Sequence, residues 1–318
     1  SCREAQDKDL VTLEGDHFTI KGIGISVTGY DIELEIRYAK RTGKKVLIND
    51  QSQRTLSDLF GSMAAVVMSP DDRRLVQGSP GNRRRFLDMA IAQTSPQYLT
   101  TLQNYRRVVR QRNEALRFQQ FRSDDIQDLE LWNVQLIDLG SRIIRKRQEV
   151  INILDKEARQ LHRVISDGRE ELSVRYSASF LYEDTIGIEA AFRTSLNRAE
   201  KEEKARGVTV VGPHRDDVHL TINGVTLSAF GSQGQHKTAA TAIKLAEARF
   251  MWQQMQTPPL LLLDDIFAEL DNTRISRLIE LLPDYGQVFI TAAKESDFGP
   301  YGDQFRQFRV QGGTVSPM

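Results

Sequence analysis

The chain has 318 residues, 40% apolar and 27% charged, which suits roughly two folded domains and excludes a disordered or fibrous polypeptide. Its 43 Lys and Arg cancel its 43 Asp and Glu, so no global field draws it onto nucleic acid and any such surface must be local. With one cysteine, Cys2, no charged leader and no apolar run near the ~18 residues that span a bilayer, the expectation is a reducing, cytoplasmic setting without membrane contact.

In chain order, His17 to Thr28, Tyr30 to Ala39 and Lys44 to Ile48 carry strand-type runs, with Ile32, Leu34, Ile36 and Tyr38 alternating, and read as an antiparallel meander. Met63 to Met68 is a short apolar run of the buried-strand kind. It is followed by Ser69-Pro70-Asp71-Asp72, a helix-start signal with acids in the first turn. From Ser79 to about Arg206 the texture is helical: one helix opens at Pro80, a second runs from Pro96 to Phe118, and a third starts near Asp124–Asp125. Leu129, Trp132, Leu136, Leu139 and Ile143 form a 3-4 seam in that third helix, interrupted at Lys146–Arg147 and resumed at Val150, Leu154, Leu161 and Ile165. The seam is too short for a long coiled-coil arm and predicts helix packing inside a compact lobe. A strand follows at Leu172 to Ser177, then a charged helix ending near Gly207. Further strands are expected at Val208 to Val211 and Val218 to Ile222, the second closed by an Asn223-Gly224 hairpin turn. The remainder alternates: helix Gln233 to Gln254, strand Leu260 to Leu263, helix Thr273 to Leu282, strand Val288 to Thr291, an α/β pattern.

Four features of that last stretch carry chemistry. The all-apolar run Leu260 to Leu263 predicts a strand buried on both faces in the middle of a parallel sheet, with Asp264 and Asp265 at its carboxyl end, where such sheets bind ligands. Asp264 can hold Mg²⁺ through its water shell, and Asp265 can orient or deprotonate a water attacking a γ-phosphate. The plain alternative is a strand end solvated by two acids. Ser232-Gln233-Gly234-Gln235 opens an amphipathic helix whose free N–H groups and dipole suit a phosphate, or serves only as an N-cap. Ala268-Glu269-Leu270-Asp271 alone is a polar turn capped at Asp271. A second apolar strand ends at Thr291, beside the same nucleotide position.

A second chemistry lies upstream. Between Arg73 and Arg122 stand eleven arginines and two acids, Asp88 and Glu114, a local excess of nine positive charges. Arginine suits phosphate geometry, and Arg106, Arg110 and Arg117 can share one helix face. Arg83, Arg84, Arg107 and Arg112 complete the candidate DNA-contacting set. The alternative is a salt-bridged face partnered by Asp124, Asp125, Asp128 and Glu130. No aromatic interleaving marks a stacking platform, so backbone contacts without sequence preference are expected. His214 and His219 lack paired metal-ligand spacing, and no metal other than Mg²⁺ is expected.

In order and spacing, the four features resemble the head of ABC-type ATPases: signature, Walker B strand, D-loop and switch position. In that family the signature of one subunit closes over the nucleotide of the other. Ser232, Gly234 and Gln235 would therefore act in trans, Asp264 and Asp265 in cis, with Asp271 and Thr291 beside the nucleotide. A closer likeness, over nearly the whole chain, is to the RecF family. It rests on Ser69-Pro70-Asp71-Asp72 with Leu75-Val76 and Gly78, Pro80, Arg83-Arg84-Arg85-Phe86-Leu87-Asp88, Tyr105-Arg106-Arg107, Gln111-Arg112-Asn113 and Gly212-Pro213-His214-Arg215-Asp216-Asp217. The Ser-Gln-Gly-Gln signature and the Asp-Asp ending of Walker B also suit it. The resemblance gives His214, Arg215, Asp216 and Asp217 importance without a role. It implies an α/β fold: an ABC-type head of mixed sheet, helices and antiparallel meander (1–78 plus 207–318) with an inserted helical lobe (79–206). It further implies an ATP- and Mg²⁺-dependent homodimer of DNA repair, replication, recombination and the SOS response. Such a dimer would bind single-stranded, gapped and double-stranded DNA and help load RecA with RecO and RecR.

One element of the family is missing. No G-x-x-x-x-G-K-[ST] loop occurs, and the nearest approach, Gly231 to Thr238, carries His236 where the last glycine belongs and overlaps the signature helix. Ser1-Cys2-Arg3 resembles the segment just after the P-loop helix. The expectation is a chain without its amino-terminal strand, P-loop and helix, which alone neither holds ATP normally nor hydrolyses it. Two other readings stay open: a non-hydrolysing DNA-binding scaffold on a degenerate ABC head, and another SMC-like ATPase, against which the lack of long heptad arms argues.

Overall fold

The structure is a computed structural model that describes residues 6–318 apart from 27, 54–62, 122–128, 185–186 and 295–297. The Ser1-Cys2-Arg3 segment, Arg122, and Asp124, Asp125 and Asp128 with the helix start expected there lie outside the described residues.

The alternating residues after His17 form the expected meander: β1 (His17–Ile25), β2 (Asp31–Ala39), β3 (Gly43–Ile48) and β4 (Gln51–Ser52), paired antiparallel in that order. Ile36 stands opposite both Ile20 and Val46, so Ile32 and Val46 are buried on one face, in a small core apart from the main one. β5 (Ala65–Met68) leads through a 3-10 turn, Pro70–Asp72, into α1 (Arg73–Gln77). Next come α2 (Pro80–Thr94), opened by a reciprocal box between Ser79 and Asn82, and α3 (Pro96–Phe121).

α4 (Glu130–Ile165) is one helix of 36 residues, about 54 Å long at 1.5 Å per residue. Leu136, Ile143, Val150, Leu154, Leu161 and Ile165 are all buried along it. The expected interruption at Lys146–Arg147 is chemical rather than structural. Arg147 stays in the seam, 2% exposed, because Asp88 of α2 takes its charge.

β6 (Leu172–Ser177), α5 (Ile188–Arg206), β7 (Asp217–Ile222) and β8 (Val225–Thr226) follow, with β7 central in an antiparallel sheet. Asn223 and Gly224 both take positive φ, 50° and 78°, as the two-residue hairpin turn requires. The strand expected at Val208 to Val211 is not formed. Side chains satisfy that backbone instead: Asn113 Oδ1 accepts from the Thr209 N–H at 2.7 Å, and Glu203 Oε1 from the Val210 N–H at 2.8 Å.

The α/β portion then runs α6 (Leu227–Phe230), α7 (Gln233–Met255), β9 (Leu260–Asp264), α8 (Ile266–Glu269), α9 (Asn272–Leu281) and β10 (Val288–Thr291). A hairpin of β11 (Phe308–Gln311) and β12 (Thr314–Pro317) follows, which no sequence pattern announced. β9 is the centre of a parallel sheet, flanked by β5 and β10, as its apolar run predicts. Burial on both faces is corrected: Leu261 and Leu263 are buried, whereas Leu260 and Leu262 are half-buried and neighbouring Phe289 is 52% exposed. The buried side packs towards α7, whose alanine-rich middle (Ala239, Ala240, Ala242, Ala246, Ala248) is buried nearly all round. One hydrophobic cluster joins β5, β9 and α7 to α3, α4 and α5. No helix among the described residues is long and apolar enough to cross a membrane.

Candidate functional site

The ends of β9 and β10, both expected beside a nucleotide, lie side by side. Thr291 ends β10 in register with Asp264, the last residue of β9, and its hydroxyl donates to Asp264 Oδ1 at 2.7 Å. The Asp265 N–H donates to the Thr291 carbonyl at 3.2 Å. Asp265 holds φ 54°, ψ 32°, a left-handed conformation that costs an L-residue roughly 1 kcal/mol and turns the chain sharply off the strand. Asp265 Oδ1 is buried and has no hydrogen-bond partner among the described residues. Two adjacent carboxylates, one with an unused buried oxygen, fit a hydrated divalent cation and a positioned water.

Ser232 caps α7. Its Oγ accepts from the Gln235 N–H at 3.2 Å, while Gln235 Oε1 accepts from the Ser232 N–H at 2.8 Å. Gln235 Nε2 donates in turn to Glu170 Oε1 at 3.0 Å, in the turn after α4, a partner that sequence reasoning missed. Arg274 lies against Gly234, where an added Cβ would stand 3.3 Å from Nη1. Asp271 caps α9, accepting from the Arg274 N–H at 3.0 Å and pairing with its guanidinium. The first of these contacts holds the Asp271 carboxyl below its usual range. Arg274 therefore sits between the Asp271 turn, which it binds, and the signature turn, which it lies against. Among the described residues, no hydrogen bond or ion pair joins 232–235 to Asp264, Asp265 or Thr291 within this one chain. The Gly231 to Thr238 stretch does not form a P-loop, since α7 has begun by Gln233. His236 is buried, its Nε2–H donating to the Leu227 carbonyl at 2.8 Å.

The Gly212-Pro213-His214-Arg215-Asp216-Asp217 segment is a structural hub. Gly212 takes φ 126°, and a Cβ there would come within 2.5 Å of the Tyr105 hydroxyl. His214 Nε2 faces the Thr209 carbonyl at 3.1 Å. A carbonyl only accepts, so Nε2 carries the proton and Nδ1 accepts from the Tyr105 hydroxyl at 2.7 Å. Burial pushes the His214 pKa down to about 4. Arg215 donates to the Thr209 carbonyl at 3.0 Å, and buried Asp216 accepts from the Ser179 N–H at 2.7 Å and from the Tyr176 hydroxyl. Asp217 takes Arg83 in two bonds, at 2.7 and 2.9 Å.

The arginines divide sharply. Arg112 is 3% exposed and donates to Asn133, Thr209 and Glu203. Arg83 is 8% exposed and holds Asp217 and the Gly78 carbonyl. Both leave the DNA-contacting set, because their donors are consumed inside the fold. Arg106, Arg107, Arg110 and Arg117 are exposed along α3, and Arg84 is half-buried with Nη1 on the Asp216 carbonyl. Of these, Arg107, Arg110 and Arg117 have no ion-pair or hydrogen-bond partner among the described residues, and nor has exposed Arg85, which sequence reasoning left out although it sits in the same run. The expected acidic partner Glu130 pairs with Arg193 of α5.

No family model matches the chain. Curated relatives do. The DNA replication and repair protein RecF of Bacillus cytotoxicus is 37% identical over 294 residues, covering 92% of this chain and 78% of its own length. That of Bacillus mycoides is 38% identical over 295 residues, with the same coverage. The chain belongs to the RecF family. Among solved structures, the recombination mediator protein RecF of the RecFOR pathway, as RecF-ATP, matches with TM-score 0.86 at 26% identity, over 99% of this chain and 84% of the other. An SMC head bound to the C-winged helix domain of ScpA matches with TM-score 0.52 at 13% identity, over 99% and 79%, a likeness of fold alone. The fold is thus the ABC-type ATPase head expected, and a RecF-family role in DNA replication and repair follows.

Proposed function

We propose that this RecF-family chain is an ATP-dependent, DNA-binding component of recombinational repair, working as an ATP-closed homodimer. The observation that carries the nucleotide part is the unused buried oxygen of Asp265 beside Asp264 at the end of the central parallel strand. Bound Mg²⁺ would neutralise phosphate charge there. Asp264, steadied by Thr291, holds the ion's water shell, and Asp265 orients a water with its free oxygen. Ser232, Gly234 and Gln235 present the α7 N-terminus, and with Asp271 close over the nucleotide of a second copy. The head comprises 1–78 plus 207–318 and the helical lobe 79–206. DNA, single-stranded, gapped or double-stranded, lies against Arg84, Arg106, Arg107, Arg110 and Arg117, whose donors the fold leaves largely free. RecO and RecR act beside it to load RecA in the cytoplasm, in the SOS response.

The test is self-association of the full-length protein. Sedimentation is expected to show a monomer becoming a dimer with Mg·ATP, and no dimer in Asp264→Asn. A protein that binds DNA but stays monomeric with or without Mg·ATP overturns the ATP-closed reading and leaves the scaffold one.

A further inference from the structure

Between α2 and α3 lies a cleft of about 430 Å³, in the size range of small-ligand sites. Arg84 and Arg85 enter it from α2, Arg106 and Arg110 from α3, and Arg147 lies at its base. One carboxylate, Asp88, faces these five cations, and it is already engaged. Its Oδ1 accepts from the Tyr98 hydroxyl at 2.6 Å and from Arg147 at 2.8 and 3.0 Å, and its Oδ2 meets Arg106 at 3.3 Å. Arg85 and Arg110 have no partner among the described residues, and Arg84 has only a carbonyl. His214 in the wall is held neutral by burial, with the Arg215, Arg84 and Arg112 charges adding to it, and contributes no charge. Burial, and then the nearby Arg147 charge, hold the Arg84 guanidinium below its usual range, against the opposing pull of Asp217, Asp216 and Asp88. Leu102 and Val109 add an apolar flank on which a sugar or base edge can rest.

We propose that this cleft is a discrete, saturable seat for one phosphate group of a nucleotide, held by Arg84, Arg85, Arg106 and Arg110. The inference rests on the reading that the arginine face meets DNA, and adds that one phosphate is gripped by convergent guanidiniums while the others are only screened. The convergence of four guanidiniums on one cleft, whose single lining carboxylate is already engaged by Arg147, Tyr98 and Arg106, separates it from the open row along α3.

Calorimetric titration of the chain with inorganic phosphate, dTMP and thymidine tests it, alongside displacement of a labelled oligonucleotide. Phosphate and dTMP are expected to bind one to one and thymidine not at all. The double variant Arg85→Gln/Arg110→Gln, which breaks no internal contact, should weaken dTMP at least tenfold. If dTMP displaces an oligonucleotide without terminal phosphates, the seat takes internal phosphodiesters. If it displaces only an end-phosphorylated one, the seat takes strand ends. Thymidine binding as well as dTMP, or an unchanged dTMP affinity in the double variant, overturns the seat. Salt-insensitive DNA binding together with one-to-one phosphate binding would instead remove the underlying DNA reading and leave the phosphate seat standing.

Discussion

Asp88 and the Oδ1 of Asp265 are both withdrawn from water, yet the fold treats them in opposite ways. Asp88, 5% exposed, has both oxygens engaged: Oδ1 accepts from Tyr98 and twice from Arg147, and Oδ2 meets Arg106. Asp265 has an oxygen with no partner and a backbone held left-handed. A carboxylate with both oxygens engaged joins three helices and carries no buried oxygen without a partner. One left unsatisfied is a standing cost that a ligand can relieve. The same division runs through the arginines, where Arg83, Arg112 and Arg147 resemble Asp88, and Arg85, Arg107, Arg110 and Arg117 resemble Asp265.

The largest expected effect breaks the satisfied side. Asp88→Asn strands the Arg147 charge in the interior and should lower unfolding free energy by about 3–5 kcal/mol in urea melts. Asp265→Asn has no internal partner to strand and should stay within about 0.5 kcal/mol of the parent protein. Equal losses from the two would end the contrast. In the double variant Asp88→Asn/Arg147→Met the loss should fall short of the sum of the singles, since they share one network.

A smaller effect comes from protons. His214 titrates near 4 in the fold and near 6.5 when free, so the native state binds fewer protons than the unfolded one between those values. Its contribution is whole above pH 6.5 and declines as pH falls towards 4, by about 2 kcal/mol at pH 5. His214→Asn should be less stable than the parent at pH 7.5, and the gap should narrow by about that amount at pH 5. A gap that is constant across this range would mean that burial does not hold His214 neutral in the fold.

The division between satisfied and unsatisfied groups was only partly legible in the sequence. Periodicity and turn chemistry were enough for the meander, for the Asn223-Gly224 hairpin, and for β9 flanked by parallel strands, because these are set by neighbours along the chain. That Asp264 and Thr291 both close apolar strands was legible for the same reason, whereas the hydrogen bond between them was not. What could not be read was long-range capture of charge. Nothing near Arg112 in the chain announces that Glu203 will reach it at 2.6 Å, or that Asp217 will take Arg83. The missing strand at 208–211 has the same origin, since Asn113 and Glu203 satisfy a backbone that looks β-prone by composition. Gln235 was read as part of the signature, but its tie to Glu170 crosses from α7 to the turn after α4 and leaves no local trace.

The smallest structural effect and the sharpest functional one meet on α3, where arginines of both kinds stand within ten residues. Arg107 and Arg117 flank buried Arg112, and neither touches another described side chain through a hydrogen bond or ion pair. Replacing both by Gln should leave stability within about 0.5 kcal/mol, because surface changes that break no contact cost little. DNA affinity should nevertheless drop, and the plot of log affinity against log salt should flatten by roughly 1.4–1.8 units, as two phosphates cease to release counter-ions. Arg112→Gln should do the reverse: it abandons Glu203 in the interior and costs about 3–5 kcal/mol, while the salt slope of the protein that remains folded keeps its value. Fluorescence anisotropy across a salt series reads the slope, and urea melts read the stability. A flattened slope in folded Arg112→Gln, or an unchanged one in Arg107→Gln/Arg117→Gln, would show that partnering inside the fold does not decide which arginines meet DNA.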